Sequence, residues 1–339
     1  MNRLVLIDGN AILHRAYHAL PPLTSPDGTI VNAVYGFTSM LLRLITDLKP
    51  THLAVAFDRP APTFRKKMFA GYQIKRPKMD DELSSQVDVI HDLLSSFSVP
   101  VFEMDGFEAD DILGTLCQKI PNSLPRRQAG KFQIPNKSQK LKSEKNENID
   151  QIIIVTGDKD LLQLVKDDKV LVYMPTKGLS EAKLYGKKET EERLGVKPAL
   201  VPDYKALAGD ASDNYPGIPG IGPKTAVEIL KKAGSIKKLY ASIGKKSFGL
   251  SESLVDKIKE GKESALLSHE LATIKCDVPI DVDIGEITEG QFKTPEAFEK
   301  LRKLGFNSLI KRLEGKKEDT KRQRDKDTKR DNGEQLTLA

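Results

Sequence analysis

Short apolar runs without polar interruptions alternate with amphipathic segments along the first part of the chain. Residues 4–7, 53–57 and 152–155 carry only apolar side chains, which is typical of strands buried on both faces of a parallel sheet. Between these runs, 34–48 and 83–97 place apolar residues at helical spacing. Further segments at 99–103, 170–174 and 188–194 continue the pattern as strand, strand and helix. This order predicts an α/β domain over residues 1–195, with a central, mainly parallel sheet.

The pattern changes after residue 195. Five short segments with helical spacing follow, joined by glycine-containing turns, at 203–207, 225–233, 236–241, 252–259 and 295–304. We therefore expect a helical domain at 196–313. Residues 121–149 carry seven basic and two acidic residues, which predicts a flexible insertion, either a solvated spacer or a DNA-binding arm. Residues 314–339 are mostly charged, which predicts a disordered tail.

An aspartate follows each of the three buried runs: Asp8 and Asp58 come directly after their runs, and Asp158 follows its run after Thr156 and Gly157. The carboxyl ends of parallel strands meet at one edge of a sheet, so we expect these carboxylates to converge. Two further acidic groups are expected to join them: residues 108–111, which open an apolar helix, and residues 209–214, which lie in a loop of Gly, Ser and Asn. The complete candidate set is Asp8, Asp58, Glu108, Asp110, Asp111, Asp158, Asp160, Asp210 and Asp213. Because so many like charges repel one another unless cations neutralise them, the pattern predicts a magnesium site.

The composition narrows the class of protein. The chain has 339 residues, 39% of them hydrophobic, and no apolar run approaches the roughly 20 residues that span a bilayer, so we expect a cytoplasmic protein without membrane association. Cys117 and Cys276 lack the spacing of a zinc site or a disulfide framework. The formal net charge of +6 implies basic surfaces outside the acidic centre, as in a nuclease, although many basic proteins bind no nucleic acid.

The sharpest short motif is GIPGIGPKTA at residues 217–226. Gly217, Gly220 and Gly222 permit a tight hairpin whose backbone N–H groups can approach a phosphate. Lys224 and Thr225 begin the following helix, whose N-terminal dipole also favours an anion. The motif therefore favours a helix-hairpin-helix that binds one strand of a duplex without reading its sequence. The alternative is an ordinary Gly/Pro turn.

Several motifs occur together in a characteristic order. They lie at 6–10 (LIDGN), 15–19 (RAYHA), 56–58 (AFD), 63–65 (TFR), 106–111 (GFEADD), 156–160 (TGDKD) and 209–214 (GDASDN), the last continuing to Lys224. By these motifs the chain resembles the 5′-nuclease superfamily, most closely the 5′→3′ exonuclease domain at the N-terminus of bacterial DNA polymerase I, which is similar to flap endonucleases. The resemblance covers most of residues 1–313.

The resemblance implies a PIN-like nuclease domain with a helical arch, followed by a helix-3-turn-helix domain that binds duplex DNA. It also divides the acids: Asp8, Asp58, Glu108 and Asp110 around one metal ion, Asp158, Asp160 and Asp213 around a second, and Asp111 and Asp210 near by. Two Mg²⁺ ions, for which Mn²⁺ can substitute, would support in-line attack of water on the phosphodiester and leave a 5′-phosphate. A monovalent cation is expected at the hairpin.

The arch implied by the resemblance covers residues 64–77. Within it, Arg76 is expected to act as a catalytic cation on phosphate, Arg65 and Lys75 to contact nucleic acid, and Tyr72 to stack on a terminal base. Arg15, on the helix after the first strand, resembles another phosphate-contacting position. One departure matters: the family commonly has Lys directly after this Tyr, whereas this chain has Gln73, so a cation expected at the scissile phosphate is absent.

The leading hypothesis is a structure-specific 5′ nuclease, acting as a monomer near the nucleoid on DNA flaps, nicks and RNA–DNA junctions in replication and repair. No polymerase region follows, so a stand-alone nuclease is expected, with a piece of a longer chain as the alternative. A DNA polymerase or a sliding clamp is the expected partner, the latter on the faint signal of the terminal QLTLA. A branched-DNA-binding protein that cuts poorly is the second hypothesis, motivated by Gln73. A PIN-type ribonuclease is the third, and the GIPGIGPKTA hairpin counts against it.

Overall fold

The computed structural model describes residues 1–123, 148–177, 181–243 and 248–315. Its single six-stranded sheet has the order β3-β2-β1-β4-β5-β6. The strands are β1 (Arg3–Asp8), β2 (His52–Ala56), β3 (Val101–Phe102), β4 (Gln151–Val155), β5 (Val170–Lys177) and β6 (Glu181–Tyr185). All neighbours pair in parallel except β5 and β6, which are antiparallel. The predicted mainly parallel sheet is confirmed, and β1 lies at its centre between β2 and β4.

Helices form both the layers around this sheet and the second part of the chain. The first group is α1 (Gly9–Ala19), α2 (Asn32–Leu48), α3 (Phe64–Met68), α4 (Asp81–Ser96), α5 (Ala109–Ser123) and α6 (Lys187–Leu194). The second group is α7 (Val201–Ala208), α8 (Pro223–Ala233), α9 (Ile236–Ser242), α10 (Glu252–Glu260), α11 (Lys262–Ala272), α12 (Pro295–Lys303) and α13 (Asn307–Leu313). Each helix predicted from hydrophobic spacing appears within a few residues of its expected bounds. The helical arch expected at 64–77 is helical only over Phe64–Met68.

Three elements were not predicted from the sequence. Strand β6 lies at the sheet edge with mostly exposed side chains, so its residues show no buried run. Helix α13 lies beyond 295–304, the last helical segment predicted from the sequence. Helix α11 follows α10 after Gly261 alone, without the longer turn that separates the other helices.

The apolar residues of the sheet divide between its two faces. Val5 and Ile7 of β1 belong to the core under α1, α2 and α4, whereas Leu4 and Leu6 belong to the core under α5. Successive side chains of a strand point to opposite faces, and both faces are covered by helices. This double burial explains why the strand sequences are uniformly apolar.

The third core holds the helical part together but does not extend to residue 313. It joins α7 to α10 and the start of α11. Residues that follow α11, such as Ile274 and Val278, pack on one face of the sheet, and Leu301 and Phe306 pack on the other. The last part of the predicted helical domain at 196–313 therefore packs against the sheet-containing part of the chain. There α12 and α13 bury their apolar faces against α2 and α4.

Two predictions fall largely outside the described residues. They are the flexible insertion at 121–149, of which α5 takes up 121–123, and the disordered tail at 314–339. Among the helices that the structure describes, none has both the length and the apolar character needed to cross a bilayer.

Candidate active site

A cavity of about 570 Å³ opens beyond the carboxyl ends of the central strands. Seven of the predicted acids line it: Asp8, Asp58, Glu108, Asp110, Asp158, Asp160 and Asp213. Asp8 is the last residue of β1, and Asp58 and Asp158 follow the flanking strands β2 and β4. Glu108 and Asp110 lie at the start of α5, and Asp213 comes from the loop after α7. The structure therefore brings together acids from five separate segments.

Neighbouring groups fix the first two acids. Asp8 caps α1, with its Oδ1 accepting the Ala11 N–H at 3.0 Å and its Oδ2 accepting the Thr156 hydroxyl at 2.7 Å. Asp58 accepts the Ala109 N–H at 2.7 Å, at the start of α5. Its own N–H donates to Asn10 at 2.9 Å. These contacts hold the carboxylates before any ligand binds.

Burial makes the cluster difficult to ionise. Desolvation raises the pKa of Asp8 to about 7, against hydrogen bonds from Ala11 and Thr156 that lower it. Desolvation also raises the pKa of Glu108 and that of Asp160 to about 7. The pKa of Asp110 is raised well above its ordinary value by burial and by the neighbouring carboxylates, Asp158 first among them. A cation in the cavity would relieve this repulsion.

Oxygen-only donors of this kind suit hard divalent ions such as Mg²⁺ or Mn²⁺. Among the described residues, no three His, Cys, Asp or Glu side chains already form a closed set of metal ligands. The fit of a metal ion therefore rests on the donor chemistry and the shared cavity rather than on preformed coordination distances.

Arg65 and Asp111 do not have their predicted roles. Asp111 is fully buried, and its two oxygens accept from Arg65 Nη1 at 2.7 Å and Nη2 at 2.8 Å. They also accept the backbone N–H groups of Glu108 and Lys275. The predictions that Asp111 binds metal and that Arg65 contacts nucleic acid are wrong, because each is the buried partner of the other.

Asp210 also lies outside the cavity lining. Its Oδ2 contacts the ammonium of Lys205, and its Oδ1 accepts the backbone N–H groups of Ser212 and Asp213. The same ammonium lies 2.6 Å from Asp160 Oδ1. Lys205 was not predicted as a site residue, because nothing in its local pattern distinguishes it from a surface lysine of a helix.

The arch segment lies over the acids. The Tyr72 hydroxyl is 3.2 Å from Glu108 Oε2 and 3.3 Å from Asp213 Oδ2, and Tyr72 is only 3% exposed. Its predicted stacking on a terminal base is therefore contradicted in this arrangement. Gln73, with φ of +51°, donates its side-chain amide to Asp213 Oδ1 at 3.0 Å and its backbone N–H to the Asp213 carbonyl at 2.8 Å.

Cations surround the mouth of the cavity. Lys75 and Arg76, both predicted to contact nucleic acid, are exposed and line it. Arg59 and Lys66 line it as well, although the sequence analysis did not select them. Arg15 lies on α1 and is not part of the cavity lining. The acidic floor and basic rim match the charge separation expected from the sequence.

The hairpin motif forms the predicted turn before α8. Gly220 and Gly222 are exposed, and Gly222 is the N-cap of α8, whose first turn contains Lys224 and Thr225. Gly217 is different: it is buried, and its N–H donates to Ser268 Oγ at 3.1 Å. The prediction that Gly217 contacts nucleic acid is therefore wrong, because its backbone is already used inside the helical core.

Comparisons with known proteins agree with this architecture. Residues 3–126 match the family described as "5'-3' exonuclease, N-terminal resolvase-like domain", and residues 196–295 match "5'-3' exonuclease, C-terminal SAM fold". T5 5′-exonuclease has a similar structure, with a TM-score of 0.59, 18% identity and coverage of 91% of this chain and 96% of that chain. The catalytic core of Rad2 aligns with a TM-score of 0.55 and 16% identity, covering 93% of this chain and 88% of that one. These structures share the fold.

Relatives found by sequence have higher identity to this chain than these structures do. The 5′-3′ exonuclease of Aquifex aeolicus (strain VF5) is 35% identical over 314 residues, which are 93% of this chain and 96% of the relative. DNA polymerase I of Bacillus subtilis (strain 168) is 38% identical over 311 residues, 92% of this chain. The chain spans only 32% of that polymerase. The predicted resemblance and fold class are confirmed, and the chain belongs to the 5′-3′ exonuclease family of nucleases.

Proposed function

We propose that this nuclease cuts DNA at 5′ flaps, nicks and RNA–DNA junctions with two bound Mg²⁺ ions, for which Mn²⁺ can substitute. The observation that carries the proposal is the convergence of seven carboxylates on one cavity at the edge of the sheet. The similar T5 5′-exonuclease has divalent zinc ions bound, and the Rad2 catalytic core is in complex with a DNA substrate. Both support a divalent-metal nuclease that acts on DNA.

Following the resemblance, we assign the acids to two proposed ligand groups. Asp8, Asp58, Glu108 and Asp110 would hold one ion, and Asp158, Asp160 and Asp213 the other. When bound, such ions neutralise the phosphate and lower the pKa of a water molecule. The chain's own contribution is to fix the acids, as Thr156 does for Asp8 and as the start of α5 does for Asp58.

Phosphate binding falls to the basic rim and the hairpin. Arg76 and Lys75 lie at the cavity mouth, where they would hold the phosphates of the strand to be cut. The exposed hairpin at Gly220 and Gly222, together with Lys224 on α8, would bind the uncut strand of the duplex. A monovalent cation at the hairpin carbonyls belongs to the same proposal. Binding at both the cavity rim and the hairpin would select DNA by its branched structure rather than by its base sequence.

The proposed setting is DNA replication and repair at the nucleoid, with the protein acting as a monomer. A DNA polymerase that extends the upstream strand, or a sliding clamp, is the proposed partner. The support is that the Bacillus subtilis relative which matches this chain over 311 residues is a DNA polymerase.

One observation favours a second candidate function, a branched-DNA-binding protein with weak catalysis. Gln73 occupies the position at which the family commonly has Lys, and its amide binds Asp213. The neutral side chain adds no charge next to the phosphate. The complete set of cavity acids nevertheless favours the catalytic function.

The test is cleavage of an end-labelled 5′-flap duplex, with Mg²⁺ or with EDTA, by the wild type and by the double variant Asp158→Ala, Asp160→Ala. Glu192→Ala, an exposed acid of α6, is the control. We expect Mg²⁺-dependent cuts at the junction that the double variant loses and the control keeps. Tight flap binding by the wild type without cleavage would instead establish the binding function.

A further inference from the structure

Lys205 places a positive charge inside the acidic centre. It lies on α7, in the helical part of the chain, and its side chain is only 16% exposed. Its ammonium lies 2.6 Å from Asp160 Oδ1 and also contacts Asp210 Oδ2. A lysine from the second domain is thus paired with two acids of the predicted metal set, one of them in the cavity lining.

The backbone of α7 is held firmly in this position. The helix packs against α11, and its last carbonyls are bonded to the turns that follow. Gly209 donates its N–H to the Lys205 carbonyl at 2.8 Å, and Ile218 donates to the Leu207 carbonyl at 2.9 Å. The hairpin that begins at Gly217 therefore anchors the helix. The ammonium can leave the acids only by a side-chain rotation.

The charge on Lys205 is secured by its partners. Burial alone would lower the pKa of Lys205, but the carboxylates of Asp160 and Asp210 outweigh burial and raise it. Burial would likewise raise the pKa of Asp210, yet the bond and charge of Lys205 bring it below its ordinary value. A buried ammonium is stable only beside opposite charges of this kind.

The oxygens of Asp210 are fully engaged by protein groups. One contacts Lys205, and the other accepts from the backbone of Ser212 and Asp213. Asp160 gives one oxygen to Lys205, and its side chain also lines the cavity. Any cation that binds between Asp158, Asp160 and Asp213 therefore meets an ammonium that already neutralises part of their charge.

We propose that Lys205 is a tethered cation of the metal centre: it weakens divalent-ion binding at the Asp158–Asp160–Asp213 end and keeps Asp210 as its own partner rather than as a metal ligand. The inference rests on the proposed metal-dependent function. It makes Lys205 a positioning residue that sets how tightly the second ion is held, through charge repulsion at short range.

The test is calorimetric titration of Mg²⁺ and Mn²⁺ into the full chain without DNA. Lys205→Met and Lys205→Gln remove the charge, Lys205→Arg keeps it, and Lys231→Met alters an exposed lysine of α8 as the control. We expect both neutral variants to bind the weaker of two ions at least tenfold more tightly, with Lys205→Arg and the control within twofold of the wild type. Unchanged or weaker binding in the neutral variants overturns the proposal.

The variant Asp210→Asn tests whether Asp210 is the partner of Lys205 or a metal ligand. If Asp210 is the partner of Lys205, the Asp210→Asn variant binds the same number of ions as the wild type; loss of one ion overturns the proposal.

Melting temperatures in EDTA and in Mg²⁺ give a second readout. Neutral Lys205 variants should melt lower than the wild type in EDTA and gain more from Mg²⁺, and an equal gain contradicts the proposal. Wild-type protein that binds no divalent ion would instead overturn the metal centre itself, a result independent of the variants.

Discussion

Arg65 and Asp111 form a buried, two-pronged ion pair that joins the base of the arch to helix α5. The Nη1 and Nη2 atoms of Arg65 lie 2.7 Å and 2.8 Å from the two Asp111 oxygens. The remaining donors reach Glu108 and the carbonyls of Leu271 and Thr273. All five N–H groups of the guanidinium are therefore used. One side chain ties α3, α5 and the end of α11 together.

Removing the Arg65 guanidinium should strongly destabilise the folded state. We expect Arg65→Met to lower the free energy of unfolding by about 3–5 kcal/mol, because it leaves the buried Asp111 carboxylate without its opposite charge. Arg65→Lys should recover little, since an ammonium cannot bind both carboxylate oxygens in a planar fork. Urea unfolding measures the loss.

The control for this prediction is Arg59→Met. Arg59 forms ion pairs with Glu103 and Asp105, but its side chain is 45% exposed, so the expected loss is below about 1 kcal/mol. Equal losses for the two substitutions would show that the Arg65 pair has no special structural role.

Gln73→Lys should increase the rate of cleavage. The Gln73 side chain lies against Asp213 at the cavity, and a lysine there would add a cation next to the scissile phosphate. We expect single-turnover cleavage of a 5′ flap to rise about tenfold, given that one well-placed electrostatic contact is typically worth more than this. Gln73→Met, which has similar length but no charge, is the control and should not accelerate cleavage. A slower Gln73→Lys variant would mean that the amide bond to Asp213 matters more than the charge.

Two hairpin glycines should respond differently to alanine. Gly217 has φ of +61°, and a Cβ there would lie 2.7 Å from the Leu207 carbonyl oxygen. Gly222 has φ of −93° and nothing within 4 Å of its Cβ position. We expect Gly217→Ala to lower the free energy of unfolding by about 1–3 kcal/mol or more. Gly222→Ala should keep the wild-type melting temperature.

The Gly222→Ala variant should also differ from the wild type in DNA binding. If the hairpin approaches a phosphate at Gly222, the added methyl group should weaken binding to a plain duplex without loss of stability. Fluorescence anisotropy at fixed salt measures this effect. Normal duplex binding by Gly222→Ala would place the phosphate contact elsewhere on the hairpin.

The stability of the metal-free protein should fall as pH rises from 5 to 8. Burial raises the pKa of Asp8, Glu108 and Asp160 to about 7 in the folded state, against roughly 4 in an unfolded chain. The folded state then binds more protons, so the stability from these groups is complete below about pH 4 and is lost as pH passes through 7.

Melting temperatures at pH 5, 6, 7 and 8, with EDTA and with Mg²⁺, measure this effect. The gain from Mg²⁺ should grow with pH, because the ion replaces the protons that the acids lose. Asp110→Asn removes one of the buried acids and should flatten the pH dependence in EDTA. A gain from Mg²⁺ that is constant across this range would contradict the prediction.

Local patterns in the sequence determined five of the six strands, most helices and the acids that follow the three buried strands. A buried parallel strand needs an uninterrupted apolar run, so Asp8, Asp58 and Asp158 are marked by the runs before them. A helix N-terminus with Gly as the N-cap and Pro as the first residue is equally local, which is why Gly222 and Lys224 lie where the motif predicts. The convergence of these acids follows from the geometry of a parallel sheet.

Tertiary structure alone decided which charged side chains face the cavity and which pair with one another. Arg65 meets the Leu271 carbonyl across 206 positions of the chain, and Lys205 meets Asp160 from helix α7. In the sequence both resemble ordinary basic residues near predicted DNA-binding segments. Whether a charge binds a substrate or a neighbour depends on burial and on partners distant in sequence, and these are set only when the sheet and the helical domain pack together.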